Sequence, residues 1–165
     1  MKLIFIFEST AKAKTDYKYI KSLLDYYYKP RSFSYDKIFA ETKSQLIKKD
    51  SQIKSKLKGF NDRAEVIICA DYDSKDDSTN EKITSYVKNN GYHVIWMNRD
   101  IEEVFWGYRV DRKDKTKKAD EFLKKWNVMI PKLDNLMESN PIEKISSSNA
   151  LIVIKEILGE FTNNK

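Results

Sequence analysis

Few residues in this chain have side chains that form disulfides or bind soft metals. Among its 165 residues there is one cysteine, Cys69, and one histidine, His93. An internal disulfide is therefore excluded, and so is a zinc site built from cysteines and histidines. A Ser-His-Asp triad would use the single histidine and leave none for any other role. If the chain performs chemistry, carboxylates, lysines and a hard metal ion must carry it.

Long apolar runs are also missing. The longest, residues 3–7, has the length of a strand and falls far short of the roughly 18 residues of a membrane-spanning helix. The amino-terminal segment has neither the apolar stretch nor the small-residue cleavage site of a signal peptide. We therefore expect a soluble, cytoplasmic protein with no membrane partner.

Charge is abundant and its balance is basic. Charged residues make up 34% of the chain, and 31 Lys and Arg against 25 Asp and Glu leave a net charge of +6. Aromatic residues make up 13%, which argues against a disordered chain. The length fits one domain, and the basic balance favours a polyanionic partner such as nucleic acid.

The apolar pattern predicts alternating strands and helices. Short apolar runs are typical of buried strands, and segments with apolar residues three or four apart are typical of helices. This alternation predicts an α/β fold of the Rossmann-like, three-layer kind, with a mostly parallel sheet of about four strands. The expected strands are 3–7, 35–40, 65–70 and 92–97. The expected helices are 13–28, 42–58, 78–90 with Ser78 or Thr79 as its cap, 101–106, 118–126, 131–138 and 149–161.

The chain divides into two parts by composition. Residues 1–107 hold the strands and form the α/β core, whereas residues 108–165 hold a basic segment and the last helices. The charge-dense stretch 108–118 has little apolar content, and we expect it to be a mobile loop. The final helices are expected to pack on the same domain as C-terminal additions to the core.

Carboxylates follow three of the predicted strands. Glu8 comes after the first strand, Asp71 and Asp73 after the third, and Asp100 after the fourth. The carboxyl ends of parallel strands meet at one edge of a sheet, where sites form in such folds. Paired carboxylates repel one another, and a divalent cation such as Mg²⁺ or Mn²⁺ removes that repulsion. The alternative to metal binding is a structural role. An aspartate at the end of a strand often caps a turn or a helix, and Asp100 could simply belong to an acidic first turn of the next helix.

The segment after the first strand is the most specific motif in the chain. Residues 8–15 read Glu-Ser-Thr-Ala-Lys-Ala-Lys-Thr. This segment resembles the Glu-Ser-Pro-Ala-Lys-Ala-Lys-Thr motif of type IA DNA topoisomerases and differs at Thr10 alone. Asp71-x-Asp73, after a later buried strand, is similar to the second motif of the same module. That module is the Toprim domain, which topoisomerases share with primases, small ribosomal-RNA maturases and OLD-family nucleases.

The resemblance implies roles for individual residues. Glu8 would be the general acid or base and a metal ligand, Asp71 and Asp73 would bind Mg²⁺, and Lys12 would contact the phosphate beside the reacting bond. The family usually has a third acidic position where this chain has Lys75. Asp76, Asp77 and Asp100 are candidates for additional metal ligands.

Basic residues in three places are candidates for binding the nucleic-acid backbone. The alternative is that they form an ordinary solvated surface, because lysines are frequent throughout the chain. The candidates are Lys12 and Lys14 in the first motif, Arg109, Arg112 and Lys113, and the lysine-rich segment 43–58, which begins with Lys43.

Three functions are compatible with these motifs. The first is Mg²⁺-dependent phosphodiester chemistry on DNA or RNA, by a small Toprim nuclease or a related enzyme. Strand passage is not expected, because the chain has no room for the separate domain that holds the topoisomerase tyrosine. The second is a non-catalytic nucleic-acid-binding or regulatory Toprim domain, which Lys75 keeps open. The third is a haloacid-dehalogenase-like phosphatase, whose nucleophile motif Asp71-Tyr72-Asp73 superficially fits. That motif normally follows the first strand and continues with Gly-Thr, whereas Ser74-Lys75 follow here.

Overall fold

The sheet is parallel throughout its four strands. A computed structural model describes residues 1–29, 33–74 and 77–163, and the strands in these ranges are β1 (Lys2–Phe7), β2 (Ser34–Phe39), β3 (Ala64–Tyr72) and β4 (His93–Asn98). Their order across the sheet is β2-β1-β3-β4, and each neighbouring pair is parallel. The predicted α/β class, with a parallel sheet of about four strands, is confirmed.

The helices differ from the sequence-based prediction mainly in the second half of the chain. The described α-helices are α1 (Thr15–Tyr27), α2 (Asp50–Leu57), α3 (Ser78–Asn90), α4 (Ile101–Trp106), α5 (Lys115–Met129) and α6 (Ala150–Leu158). The predicted helix 42–58 is divided into a 3₁₀ helix, Lys43–Lys48, followed by α2. None of the described helices is both long and apolar enough to cross a bilayer.

Strand alternation produces two cores, one on each face of the sheet. In β1, Leu3, Phe5 and Phe7 pack with residues of α1, α4, α5 and α6. Ile4 and Ile6 point to the other face and pack with α2, α3 and the first 3₁₀ helix. A strand that is apolar on both faces must be covered on both faces, and the three-layer architecture satisfies this requirement.

The carboxy-terminal part of the chain completes the first of these cores. Ala119 and Phe122 of α5 and Ile154 of α6 are buried in the same cluster as the β1 residues. The rings of Phe122 and Tyr19 of α1 have centroids 4.9 Å apart. Helices α5 and α6 therefore pack directly against the sheet-bearing part of the chain.

The expected mobile loop 108–118 is shorter than the composition indicated. Residues 115–118 already belong to α5, which begins at Lys115. The Nζ of Lys115 lies 2.8 Å from Glu102 and 3.3 Å from Asp100, and this pairing anchors the first turn of α5. The end of this charge-dense stretch is thus held in a helix because Lys115 pairs with Asp100 and with the buried Glu102.

The predicted helix 131–138 is wrong. Only a short 3₁₀ turn, Ile130–Lys132, forms there, and the chain then runs irregularly to α6. The Asn135 side-chain amide donates to the Val104 carbonyl at 2.8 Å, and the Asn135 carbonyl accepts from the Ser148 backbone N–H at 2.8 Å. Ser148 in turn forms an antiparallel bridge with Met97. The polar groups that satisfy the exposed edge of β4 belong to residues 147–149: the Asn98 N–H donates to the Ser147 carbonyl at 2.9 Å, and the Trp96 N–H donates to Asn149 Oδ1 at 2.8 Å. Asn135 joins residues 131–138 to this edge-covering segment through Ser148.

Candidate carboxylate site at the ends of the strands

The sheet order brings the first two acidic segments together. β1 and β3 are adjacent and parallel, with Phe7 opposite Cys69. Glu8 follows Phe7 directly, and Asp71 lies two residues beyond Cys69, so both lie at the same edge. Asp100 follows β4, the other neighbour of β3. The expected gathering of these carboxylate-bearing strand ends at one edge of the sheet is therefore found, and we call Glu8, Asp71, Asp73 and Asp100 the carboxylate rim.

Glu8 is a half-buried carboxylate with an unsatisfied oxygen. Its Oε2 is buried and has no hydrogen-bond partner in the described part of the chain. Burial raises the pKa of Glu8 from its usual 4.5 to about 7. Nearby Lys43 opposes this rise, whereas the negative charges of Asp73 and Asp16 add to it. Glu8 therefore exchanges its proton near neutral pH.

The pKa of Asp71 is raised as well. Burial, then the charges of Asp16 and Glu8, raise its pKa well above the usual range, and Lys115 only partly offsets them. Asp16 is a buried carboxylate that the motif analysis missed. It lies in the first turn of α1 and accepts a hydrogen bond of 2.9 Å from the Thr15 hydroxyl. Its position directly after the Glu8 motif, at a helix start beside the sheet edge, was the available sequence signal.

Asp73 faces different neighbours from Asp71. Regular extended chain ends at Tyr72, so strand alternation does not govern the direction of Asp73. Its exposed carboxylate lies 3.3 Å from the Nζ of Lys43, which is itself almost fully buried, with 9% of its side chain exposed. Lys43 begins the 3₁₀ helix after β2, at the same sheet edge; the sequence placed it among basic residues that could contact a phosphate backbone and did not predict its pairing with these carboxylates. A lysine that follows a strand next to β1 was the signal that could have found it.

Asp77 caps the helix after β3. Its carboxylate accepts a hydrogen bond of 2.8 Å from the Thr79 backbone N–H and pairs with Lys43 Nζ at 2.8 Å. The hydrogen bond from Lys43, followed by that from Thr79, lowers the pKa of Asp77 to about 2. The expected caps Ser78 and Thr79 are therefore wrong by one or two residues, because the cap of α3 is Asp77. Asp76 and Lys75 lie outside the described residues.

Asp100 lies at the start of the helix that follows β4. It caps α4 by accepting a hydrogen bond of 2.8 Å from the Glu103 backbone N–H. Its other oxygen lies 3.3 Å from Lys115 Nζ. Lys115 also pairs with Glu102, whose side chain is 1% exposed, and these acidic partners raise the lysine pKa. Asp100 is both a helix cap and part of a charged cluster.

The loop after Glu8 presents two exposed lysines beside the carboxylate rim. Thr10, where the topoisomerase motif has proline, accepts a hydrogen bond of 3.1 Å from the Ala13 N–H through its hydroxyl. Its carbonyl accepts from the Lys14 N–H at 3.0 Å. Lys14 adopts a left-handed conformation with a φ of 51° and directly precedes α1. Lys12 and Lys14 are exposed, and neither has an acidic partner among the described residues.

The second group of basic candidates lies on the exposed segment before α5. The residues of this group are Arg109, Arg112 and Lys113, all exposed. Arg109 lines a cavity with Asp73 and Asp100, and Arg112 lines the cavity beside it. The fold therefore brings two of these three cations to the side of the carboxylate rim.

The carboxylates are arranged around lysines. Within residues 1–29, 33–74 and 77–163, no group of three Asp, Glu, His or Cys side chains is arranged to hold a metal ion. Lys43 bridges Asp73 and Asp77, and Lys115 bridges Asp100 and Glu102. The donors are nevertheless all oxygen atoms, which suit a hard divalent cation. One of them, Glu8 Oε2, is buried with no partner assigned to it in the described ranges.

Comparison with known protein families, with curated proteins and with solved structures found no match.

Proposed function

We propose that this chain cleaves phosphodiester bonds of nucleic acid at the carboxylate rim, with Mg²⁺ or Mn²⁺ as cofactor. The observation that carries the proposal is Glu8, whose pKa is about 7 and whose Oε2 is buried without a partner in the described chain. A general acid or base is most effective when its pKa lies near the working pH. The likeness of residues 8–15 to the first Toprim motif supports the same role for Glu8.

A divalent cation fits the donors at this edge of the sheet. Glu8, Asp71 and Asp73 would hold it, all through carboxylate oxygens, and Asp77 and Asp100 are further candidates nearby. When bound, such a cation neutralises charge on the phosphate oxygens. Burial is the largest cause of the raised pKa values of Glu8 and Asp71, and neighbouring carboxylates add to it; a bound cation would favour the charged form of both groups.

The chain's own residues account for the remaining requirements. Lys12 and Lys14 are exposed on the loop that follows Glu8, where they are available to contact a phosphate. Glu8 accepts the proton of the attacking water or gives one to the leaving oxygen. The products of this hydrolysis are a phosphate monoester and a free hydroxyl group on the two halves of the cleaved strand.

A non-catalytic nucleic-acid-binding domain is the second candidate. Lys43 favours it, because an ammonium group already bridges Asp73 and Asp77 at 3.3 and 2.8 Å. The phosphatase alternative has less support, because Asp71 lies in the third strand of the chain, whereas the nucleophile of that motif normally follows the first strand, and because Ser74 stands after Asp73 where the motif continues with Gly.

Replacement of Glu8 tests the catalytic proposal. Glu8→Gln keeps the size of the side chain but cannot exchange a proton. We expect it to lower the cleavage rate by roughly 10²–10⁴-fold, while affinity for the oligonucleotide persists. Cleavage of labelled DNA and RNA strands with Mg²⁺ or Mn²⁺ gives the rate, and fluorescence anisotropy gives the affinity. Glu156→Gln is the matched control, since Glu156 is exposed on α6.

Two results would decide against catalysis by Glu8. If the wild-type chain binds an oligonucleotide but cleaves neither DNA nor RNA with either cation, the binding-domain candidate replaces the enzyme. If the wild type cleaves and Glu8→Gln cleaves equally fast, proton transfer belongs to another group.

A further inference from the structure

Two neighbouring polar cavities extend from the carboxylate rim. The first, of about 290 Å³, is lined by Asp73, Arg99, Asp100, Glu103 and Arg109. The second, of about 480 Å³, is lined by Asp100, Arg109, Val110, Asp111, Arg112 and Lys115. Because they share Asp100 and Arg109, the two cavities lie side by side. We call them together the arginine trough.

Arginine is concentrated in this trough. The chain has five arginines among its 31 basic residues. Four of them lie in the described ranges, and three of these line the trough: Arg99, Arg109 and Arg112. A planar guanidinium binds phosphate through two parallel hydrogen bonds, which an ammonium cannot do. The concentration of arginine beside the carboxylate rim therefore indicates a phosphate ligand.

The guanidinium of Arg99 is fixed but largely unused. Its Nη1 donates to Glu103 Oε1 at 3.1 Å, and its side chain is 51% exposed. Glu103 is held in turn by a hydrogen bond of 2.9 Å from the Ser146 hydroxyl. Arginine has five N–H donors, so most of those on Arg99 remain available to a ligand.

The backbone of Arg99 ties the trough to the end of β3. Arg99 has a φ of 71°, and its backbone N–H donates to the Tyr72 carbonyl at 3.0 Å. Tyr72 directly precedes Asp73 of the carboxylate rim. Arg109 lies across the first cavity, exposed and without an acidic partner in the described part of the chain.

We propose that Arg99 and Arg109 bind a backbone phosphate that flanks the phosphate cleaved at the carboxylate rim. This inference rests on the proposed function, because it assigns the path of the same substrate strand. A nucleic-acid strand fits better than a free nucleotide, because the trough continues past Arg109 to Arg112. The first cavity also contains three carboxylates, each already paired with a cation: Asp73 with Lys43, Asp100 with Lys115 and Glu103 with Arg99. An internal phosphodiester carries a single negative charge and so adds less repulsion there than a terminal phosphate would.

The salt dependence of binding tests this assignment. The probes are labelled single-stranded DNA and RNA in excess EDTA, which keeps cleavage out of the measurement. Loss of one phosphate contact lowers the slope of log affinity against log salt by about 0.7 for single strands. Because both arginines contact the same phosphate, we expect a reduction of up to about 0.7 in Arg99→Gln and likewise in Arg109→Gln. Arg99→Lys keeps a charge and should retain most of the wild-type slope.

Arg63→Gln is the matched control. Arg63 precedes β3 at the opposite edge of the sheet and pairs with Glu65 at 2.8 Å. Its loss should leave the slope unchanged. Arg109→Gln lies on an exposed segment and keeps the test decisive even if Arg99→Gln fails to fold.

The outcomes separate this inference from the proposed function. Wild-type slopes in both glutamine variants would overturn the arginine trough, even if the wild type cleaves. An equal reduction in Arg63→Gln would also overturn it, because the effect would then be one of net charge. Reduced slopes in the trough variants alone, without cleavage by the wild type, would support the trough and contradict the nuclease.

Discussion

Glu8 illustrates how one side chain is shifted from its ordinary behaviour. Its position after β1 is a consequence of the local sequence, but its pKa depends on what packs around it. Burial makes the charged form costly, and the carboxylates of Asp73 and Asp16 add repulsion. Lys43 compensates only in part. The result is a carboxyl group that holds its proton until about pH 7.

This shift predicts a pH dependence of stability. Between the usual pKa of 4.5 and the folded value of about 7, the folded chain binds more protons at Glu8 than the unfolded chain does. The contribution of Glu8 to the free energy of unfolding is therefore fully present below pH 4.5 and is lost as the pH rises through about 7. In the wild type, the ionisation of Glu8 should lower the free energy of unfolding by at most about 1.4 kcal/mol per pH unit, and Glu8→Gln should abolish this decrease. Urea denaturation across this range measures the difference.

The comparison with a control isolates the effect of Glu8. Asp71 and Asp16 also have raised pKa values, so the wild-type curve contains their contributions as well. Glu156→Gln should follow the wild-type curve throughout. If Glu8→Gln loses stability with pH as steeply as the wild type, Glu8 does not titrate in this range.

At the scale of elements, Asp77 and Lys43 connect three parts of the fold. Asp77 caps α3, and Lys43 belongs to the 3₁₀ helix that follows β2. The same lysine reaches Asp73 just past the end of β3. This ion-pair arrangement therefore sets the spacing between elements at the carboxylate rim.

Replacements at Asp77 should separate the cap from the ion pair. Asp77→Ala removes both, and loss of the cap alone costs about 0.5–2 kcal/mol of stability. Asp77→Asn keeps an oxygen for the Thr79 N–H but loses the charge that faces Lys43. We expect the asparagine variant to lie between the wild type and the alanine variant in chemical denaturation. Equal stability of wild type and Asp77→Ala would contradict the capping role.

At the scale of the whole molecule, the two parts of the chain share one core. Phe122 of α5 is fully buried, and its ring lies 5.2 Å from that of Phe105 and 4.9 Å from that of Tyr19. Tyr19 belongs to α1, near the beginning of the chain, and Phe105 to α4. The carboxy-terminal helices are thus part of the packing that supports the sheet.

Phe122→Ala should destabilise the entire fold. Removal of a buried phenylalanine costs about 3–5 kcal/mol, and the loss should lower the single unfolding transition seen by both circular dichroism and tryptophan fluorescence. Val128→Ala on the same helix is the control, because Val128 is 57% exposed and should change stability little. Two separate transitions in Phe122→Ala, one unchanged from wild type, would show that the two parts fold independently.

The strands were predictable from the sequence because their signal is local. Runs such as residues 3–7 are apolar on both faces, and only a strand covered on both sides accommodates them. Ile101–Trp106 was likewise predicted within its observed bounds. The segment 131–138 was not, because Asn135 bonds to Val104 of α4 and to Ser148, and helical periodicity does not reveal such contacts.

The sequence by itself determined the α/β class and the carboxylates at strand ends, because both follow from the order of residues along each strand. Tertiary structure alone decided which charges meet there. Asp16, Lys43 and Lys115 lie far apart along the chain, and only the order β2-β1-β3-β4 and the packing of α5 bring them to one edge. The physical reason is that charge interactions depend on distance and burial in space, and a strand pattern specifies neither between distant segments.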